Sequence, residues 1–423
     1  MTSISSYQAL DEVARDSLDR LCLWGGPHFT LDIVAALFEV PKQEAVERLT
    51  HLVKLELIDR DEAERYRLCE DIRARMREPA VQSDRGADDA ALARAIHRLI
   101  VEAASADYRL CPEPPRHSWA YGRVPQRPTQ PTDAAEAFAW LDAEVGNLVY
   151  AQQAAVGISQ DELAVTITET LGNWLDSRRP HDLWETVCDR GIAAARRCGL
   201  RLAEAGARLL LCRAYQDTGD FERAREQAEG ALRLSQEAGD WVGEAAGLGQ
   251  VGALHLADGD AEQALPILNG ALDIVGESLE CTWLSALLRR QIAEAEAMAG
   301  HIDKARADFR LAVHAFAARD HHQHGRALTE LGAAEIEAGH DSRAIVALSE
   351  ASWVLQICGR PFSSARAHYL LAQAHQNTGQ RQEASLHIAQ ALEHYRGAGT
   401  AECHPGFADA LRLAADLAGQ ASA

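Results

Sequence analysis

Apolar residues, alanine above all, recur at helical spacing along most of this chain, and no run approaches the 18 or more apolar residues of a membrane span. The pattern differs only near the start. Residues 8–23 predict a helix, Gly25-Gly26-Pro27 a turn, residues 30–38 a second helix capped by Thr30, Pro41 a break, and residues 42–55 a third helix. Two short alternating runs follow, at 57–60 and 65–68. The polar tip Asp61-Glu62-Ala63-Glu64 between them makes a hairpin. Three helices and a hairpin in this order predict a winged-helix-like domain over residues 1–78.

Downstream the pattern repeats. Five glycines, Gly219, Gly259, Gly300, Gly339 and Gly379, are separated by 40, 41, 39 and 40 residues. Alanine stands five residues after each (Ala224, Ala264, Ala305, Ala344, Ala384) and again twelve after each (Ala231, Ala271, Ala312, Ala351, Ala391). Eight before each glycine is Leu211, Val251, Ile292, Leu331 or Leu371, and seven before it is a small residue, Cys212, Gly252, Ala293, Gly332 or Ala372. A glycine at this position lets the chain take positive φ where one helix ends, and Asp220 or Asp260 suits the start of the next. The alanines allow helices to approach closely, while Leu268, Phe309, Leu348 and Ile388, nine after the glycine, are expected to fill the space between hairpins. One hairpin cannot bury its apolar face alone, so neighbours must stack into a superhelix with a concave inner surface. The predicted fold is all-α, a right-handed α-α superhelix of hairpins with a period of about 40 residues, preceded by the small N-terminal domain.

The remaining segments follow from this register. Residues 79–133 read as a linker with a helix near 88–108 and a proline-rich connector. Six of the thirteen prolines fall between Pro112 and Pro131, so that stretch should be extended and non-helical, with Trp119 and Tyr121 holding it to the surface. Residues 134–200 form a helical lead-in with a degenerate repeat, its helices near 162–176 and 182–198. Residues 201–400 hold the five repeats, and 401–423 a closing helix near 407–417 and a tail.

The small residue, turn glycine and paired alanines resemble the tetratricopeptide repeat in all five units, over roughly 200 residues. The period exceeds that family's 34 by about six, which implies longer helices. A second resemblance rests on Tyr7-Gln8-Ala9-Leu10, on Leu21-Cys22-Leu23-Trp24-Gly25-Gly26-Pro27 and on Arg65-Tyr66-Arg67-Leu68-Cys69-Glu70-Asp71-Ile72-Arg73. Together they look like the winged-helix domain of actinobacterial signal-transduction ATPases, antibiotic-pathway regulators that carry tetratricopeptide repeats behind an ATPase. Ala139-Trp140-Leu141-Asp142-Ala143-Glu144 with Asn147-Leu148 resembles the tryptophan-bearing helix leading into the repeats of the same regulators. In that family a Met-His-Asp motif contacts nucleotide. Leu68-Cys69-Glu70 stands there instead, and no Gly-x-x-x-x-Gly-Lys-Ser/Thr loop is present, so nucleotide binding is not expected. The resemblance implies a free-standing relative or an arm of a larger regulator.

Charge and cysteine usage narrow the partners. The 423 residues carry a formal charge of −21, which opposes a polyphosphate backbone. The N-terminal domain is itself acidic, and its third helix balances Lys42, Arg48 and Lys54 against Glu44, Glu47 and Glu56, so DNA is not the expected partner. Nine scattered cysteines without any Cys-x-x-Cys suit reduced thiols in the cytoplasm, and the N-terminus lacks a secretory pattern.

Repeat register places Arg213, Gln216, Arg290, Glu294, Arg326, Thr329, Arg366, Tyr369, Gln373 and Gln376 on the concave groove. Spaced arginines in an acidic chain suit a carboxylate or acidic peptide, with the glutamines pairing to peptide backbone. His321, His322 and His324, with His314 and His301 nearby, read as the only dense histidine group and as solvated residues of an inter-repeat loop. No catalytic set, cofactor loop or metal-ligand spacing is visible. The expected function is a cytoplasmic regulatory adaptor or sensor that binds a protein or peptide in the groove. The alternatives are an accessory protein holding a ligand without a regulatory role, or an enzyme using the groove. An unfilled array end would also let two copies pair as a homodimer.

Overall fold

The computed structural model describes residues 10–62, 64–70, 72, 85–113, 116–125, 131–276, 282–317, 320–397 and 405–419. The N-terminal domain contains α1 (Glu12–Cys22), α2 (Leu31–Phe38), α3 (Lys42–Lys54), β1 (Ile58–Arg60) and β2 (Tyr66–Leu68). The strands pair antiparallel with Ile58 opposite Leu68, and Phe29 bridges to Tyr66. Thr30 caps α2 by accepting the Ile33 amide at 3.3 Å, and Asp61 closes the hairpin by accepting that of Arg65 at 2.9 Å. Two of the three bases of α3 are occupied within the domain, Lys42 by Asp32 at 2.7 Å and Arg48 by Glu44 at 2.5 Å.

Next come α4 (Arg85–Leu110), α5 (Pro131–Gly157), α6 (Asp161–Thr170), α7 (Gly172–Arg178) and α8 (His181–Cys198). The structure starts α4 at Arg85, inside the stretch read as linker, and residues 79–84 lie outside the described residues. The helix expected over 162–176 is split at Leu171 into α6 and α7. The connector is not wholly extended, because Trp119–Arg123 forms a single turn of 3-10 helix. That turn is anchored from below: the Tyr121 hydroxyl donates to the buried Asp107 at 2.8 Å, and Trp119 stacks on His97 with ring centroids 4.1 Å apart.

The repeats are α9 (Arg201–Asp217) with α10 (Phe221–Ala238), α11 (Trp241–Ala257) with α12 (Ala261–Val275), α13 (Thr282–Met298) with α14 (Ile302–Phe316), α15 (His321–Glu337) with α16 (Asp341–Ile357), and α17 (Pro361–Asn377) with α18 (Arg381–Gly397). The closing helix α19 is Pro405–Gly419. Every turn glycine has φ between +74° and +81°, a region an L-residue enters only with strain. The next residue's amide then reaches back to the first helix, as Asp220 does to the Tyr215 carbonyl at 2.9 Å, while its carboxylate caps the following helix by accepting the Arg223 amide at 3.1 Å.

All ten register alanines are buried. The bulky residue nine after the glycine packs between hairpins as expected, Phe309 with Leu331 and Ala334 of α15 and Leu348 with Leu370 and Leu371 of α17, and in two repeats it also fills a notch within its own hairpin. A Cβ added to Gly252 would lie 2.4 Å from Leu268, and one added to Gly332 would lie 2.4 Å from Leu348. Smallness at one position and bulk at the other are two sides of one contact.

Candidate functional site

The N-terminal domain is fixed to α5 by residues that carried the second resemblance, Trp24, Glu144 and Asn147 among them, together with His28 and Tyr150. The Trp24 indole donates to Asn147 Oδ1 at 3.2 Å, His28 Nε2 meets Glu144 at 2.9 Å, and the Tyr150 hydroxyl donates to the Leu23 carbonyl at 2.9 Å. Gly25 and Gly26 are required there, since Cβ atoms would stand 2.7 Å from the Tyr150 ring and 2.4 Å from Asn147 Oδ1. Burial works to raise the Glu144 pKa, but bonds from His28 and Asn147 outweigh it and hold the carboxyl below its usual range.

The superhelix closes on its own lead-in. Arg360, at the junction of α16 and α17, is buried; its guanidinium lies 5.1 Å from the Phe138 ring centre, 3.6 Å from Asp176 and 3.4 Å from the Asn173 carbonyl. Arg178 returns the contact by donating to the Gly359 carbonyl at 3.1 Å. A second closure joins the connector to the array: the Cys111 thiol donates to Asp320 at 3.0 Å, and Asp320 also accepts the Trp283 indole at 2.8 Å.

Behind these closures, on the inner side of the array, lies a cavity of about 540 Å³ lined by seven arginines and five carboxylates. Seven of the ten expected groove residues meet there: Arg213, Gln216, Arg290, Glu294, Arg326, Thr329 and Arg366. Tyr369, Gln373 and Gln376 do not line it. Gln373 spends its amide on the Tyr369 hydroxyl at 2.8 Å instead. Thr329 is also turned inward, donating to the Gly325 carbonyl of its own helix at 2.8 Å.

The arginines are unequally compensated. Arg366 pairs with Glu330 at 2.8 Å and Arg290 with Glu294, whereas Arg213 reaches Asp176 only at 3.9 Å. Arg326 makes no hydrogen bond or ion pair among the described residues, and its charge opposes that of Arg290. Desolvation draws the Arg290 pKa below the ordinary arginine value, and Glu294 restores only part of it. Asp176 shows the converse: burial works to raise its pKa, but Arg213 and Arg360 hold it well below the carboxylate range. Beside them His322 is held far below its usual value, first by desolvation and then by Arg360, so it is neutral at pH 7.

Sequence register missed Asp176, Arg179, Asp320 and Arg360, which come from the lead-in or from inter-repeat junctions and have no repeat position. It also misplaced the histidines. His321, His322 and His324 occupy the first turn of α15, not a loop, because Asp320 caps that helix by accepting the Gln323 amide at 2.9 Å. Nor are they the only dense group. His368 and His375 on α17 interleave with His387 and His394 on α18, at ring-centroid separations of 5.3 to 5.4 Å, with His368 Nδ1 3.1 Å from His387 Nδ1. The seven-residue spacing on both helices was the available sign. Desolvation, then the charges of His387 and His394, push His368 down to about 4. Among the described residues, no group of three or more His, Cys, Asp or Glu is arranged to hold a metal, and no helix is long and apolar enough to cross a membrane.

Comparison with known proteins agrees with this architecture. Tetratricopeptide repeat patterns match residues 204–277 and 365–394. No curated protein matches the chain in sequence. Among solved structures, a signal transduction ATPase with numerous domains, carrying a tetratricopeptide repeat sensor, from Pyrococcus horikoshii superposes at a TM-score of 0.61 with 15% identity. The likeness covers 96% of this chain, which spans 54% of that protein. A tetratricopeptide repeat protein from Parabacteroides merdae aligns at 0.44 with 14% identity, covering 67% of this chain and 98% of that one. A Rap protein complexed with competence and sporulation factor aligns at 0.47 with 12% identity, covering 83% and 91%. The helical hairpins at residues 204–277 and 365–394 of this chain are tetratricopeptide repeats.

Proposed function

We propose that the chain is a regulatory adaptor or sensor whose repeat array captures a protein or peptide partner on its concave side, in control of transcription or of a biosynthetic pathway. The arginine-lined cavity carries this reading. In a protein of charge −21, seven arginines and five carboxylates line one inner surface, and Arg326 makes no ion pair among the described residues. Such a surface selects acidic groups and steers them in. The N-terminal domain serves as a packed platform, its third helix spending two bases on internal ion pairs.

The test is capture from a native lysate followed by mass spectrometry, with wild type beside the Arg326→Ala, Arg366→Ala double variant. A partner held by wild type and lost by the variant supports the reading. Equal capture by both removes the groove from it.

A further inference from the structure

The arginine cavity is one half of a larger space. A second cavity of about 760 Å³ adjoins it, and Arg213, Gln250, Trp283, Leu287 and Gln291 line both. Its walls are of different chemistry. Faces of α6, α9, α11 and α13 contribute Val165, Leu210, Leu284 and Leu288 among alanines and glycines. Its size falls within the range of sites that hold small molecules, roughly 300–1,000 Å³.

Three observations at and around the junction point to a ligand. Gln291, only 7% exposed, has an Oε1 atom with no hydrogen-bond partner, and the neighbouring Arg290, 3% exposed, has an unpartnered Nε. Leaving such atoms unmet costs about 1–3 kcal/mol each unless something else meets them. Arg326 lines the arginine side beside them and makes no ion pair among the described residues. On the apolar side Gly206 sits inside α9, where glycine is a poor helix former, yet a Cβ there would meet nothing within 4 Å. Close packing does not demand a glycine at this position. Its small size leaves the chamber open.

We infer that the joined cavities form a site for a small amphipathic oxyanion: an apolar body in the larger chamber, a carboxylate held by Arg326 and Arg290, and a hydrogen-bond donor between them facing Gln291. An N-acyl amino acid has these three parts in this order. The polar groups of the larger chamber, Glu162, Thr166, Glu169 and Asp240 among them, are set among leucine, alanine and glycine faces, so an acyl body, which needs no backbone pairing, suits those faces better than a peptide whose every residue brings an N–H and a C=O. The inference rests on the reading that the concave cavity is the binding site; it gives the cavity to a small ligand of the sensor and leaves the rest of the concave face to a protein or peptide partner.

The test is titration calorimetry of the full chain with N-decanoylglycine, and with N-decanoylglycinamide, which has the same body and no charge. The acid should bind one to one, and the amide about tenfold or more weaker, the loss expected for a charge-assisted bond. Arg326→Ala should bring the acid down to the level of the amide. Gly206→Trp, which projects into open space, should abolish binding of both while leaving the melting temperature of the protein unchanged. Equal affinity for acid and amide, or unaltered binding to Gly206→Trp, overturns the assignment. Absence of acid binding, with lysate capture still dependent on Arg326 and Arg366, overturns this inference and leaves the adaptor reading standing. A peptide ending in the same glycine that binds in an Arg326-dependent way while the acyl probe does not would likewise overturn it.

Discussion

Acidification should loosen the last repeat through the histidine stack of α17 and α18, and His368 sets the magnitude. Folding lowers its pKa from 6.5 to about 4, so the unfolded chain binds more protons than the folded one between those values. Stability is therefore undiminished above pH 6.5, falls as pH drops through that window, and falls no further from this group below 4. At pH 5 the linkage relation gives a loss of at most about 2 kcal/mol from His368, against almost none at pH 7.5. His387 and His394 are also displaced downward, each first by desolvation, and add in the same direction, while Glu383 and Glu393 lean the other way. The assay is hydrogen exchange of the α17 and α18 amides at the two pH values, corrected for intrinsic exchange rates, in wild type and in His368→Phe. Phenylalanine keeps a flat ring beside His387 and His394 without the proton. The carboxylates elsewhere titrate alike in both proteins, so the difference between the two pH slopes isolates His368. Equal slopes would refute the argument that burial keeps this imidazole neutral.

Two further outcomes follow from the junctions. Arg360→Ala should remove the contacts of a buried guanidinium with Phe138, Asp176 and the Asn173 carbonyl and cost about 1–3 kcal/mol, since Asp176 keeps Arg213; small-angle scattering should show a larger radius of gyration, and an unchanged radius with an unchanged melting temperature would contradict the closure. Gly26→Ala would set a methyl group 2.4 Å from both Asn147 Oδ1 and Trp24 Nε1, an overpacking worth about 1–3 kcal/mol; limited proteolysis should then separate the N-terminal domain from the array faster than in wild type, and equal rates would show that the Trp24 contact does not hold it.

The repeat array was legible because its constraint is local and recurs. A positive φ is needed at each turn, and an alanine wherever two helices nearly touch, so Gly219 and Ala224 report geometry without knowledge of the rest of the chain. The histidine stack was nearly legible, being two seven-residue spacings on adjacent helices. What could not be read were the contacts joining distant segments. Asp320 looks like an ordinary loop acid until the Cys111 thiol and the Trp283 indole arrive on the same carboxylate. Arg360 occupies a junction with no repeat register, and its partners Phe138 and Asp176 precede the array. Tyr369, Gln373 and Gln376 had the right register but lie further along α17 than Arg366, the last residue of that helix to line the cavity.

Arrays of this kind ordinarily fold as a sum of nearest-neighbour steps, so that units at either end can fray independently. The bonds from Arg178 to Gly359 and from Arg360 to Asn173 span 181 and 187 residues, and closing a flexible loop of that length costs about 4–5 kcal/mol of chain entropy. They are weak templates for folding and can form only once the intervening hairpins have stacked and brought the ends within reach. Once made, they tie the lead-in to the fourth repeat, so a break in any hairpin between them is felt at the Arg360 closure. The middle of the chain should therefore open as one cooperative block, while α18 and α19, outside the closure, remain free to melt first.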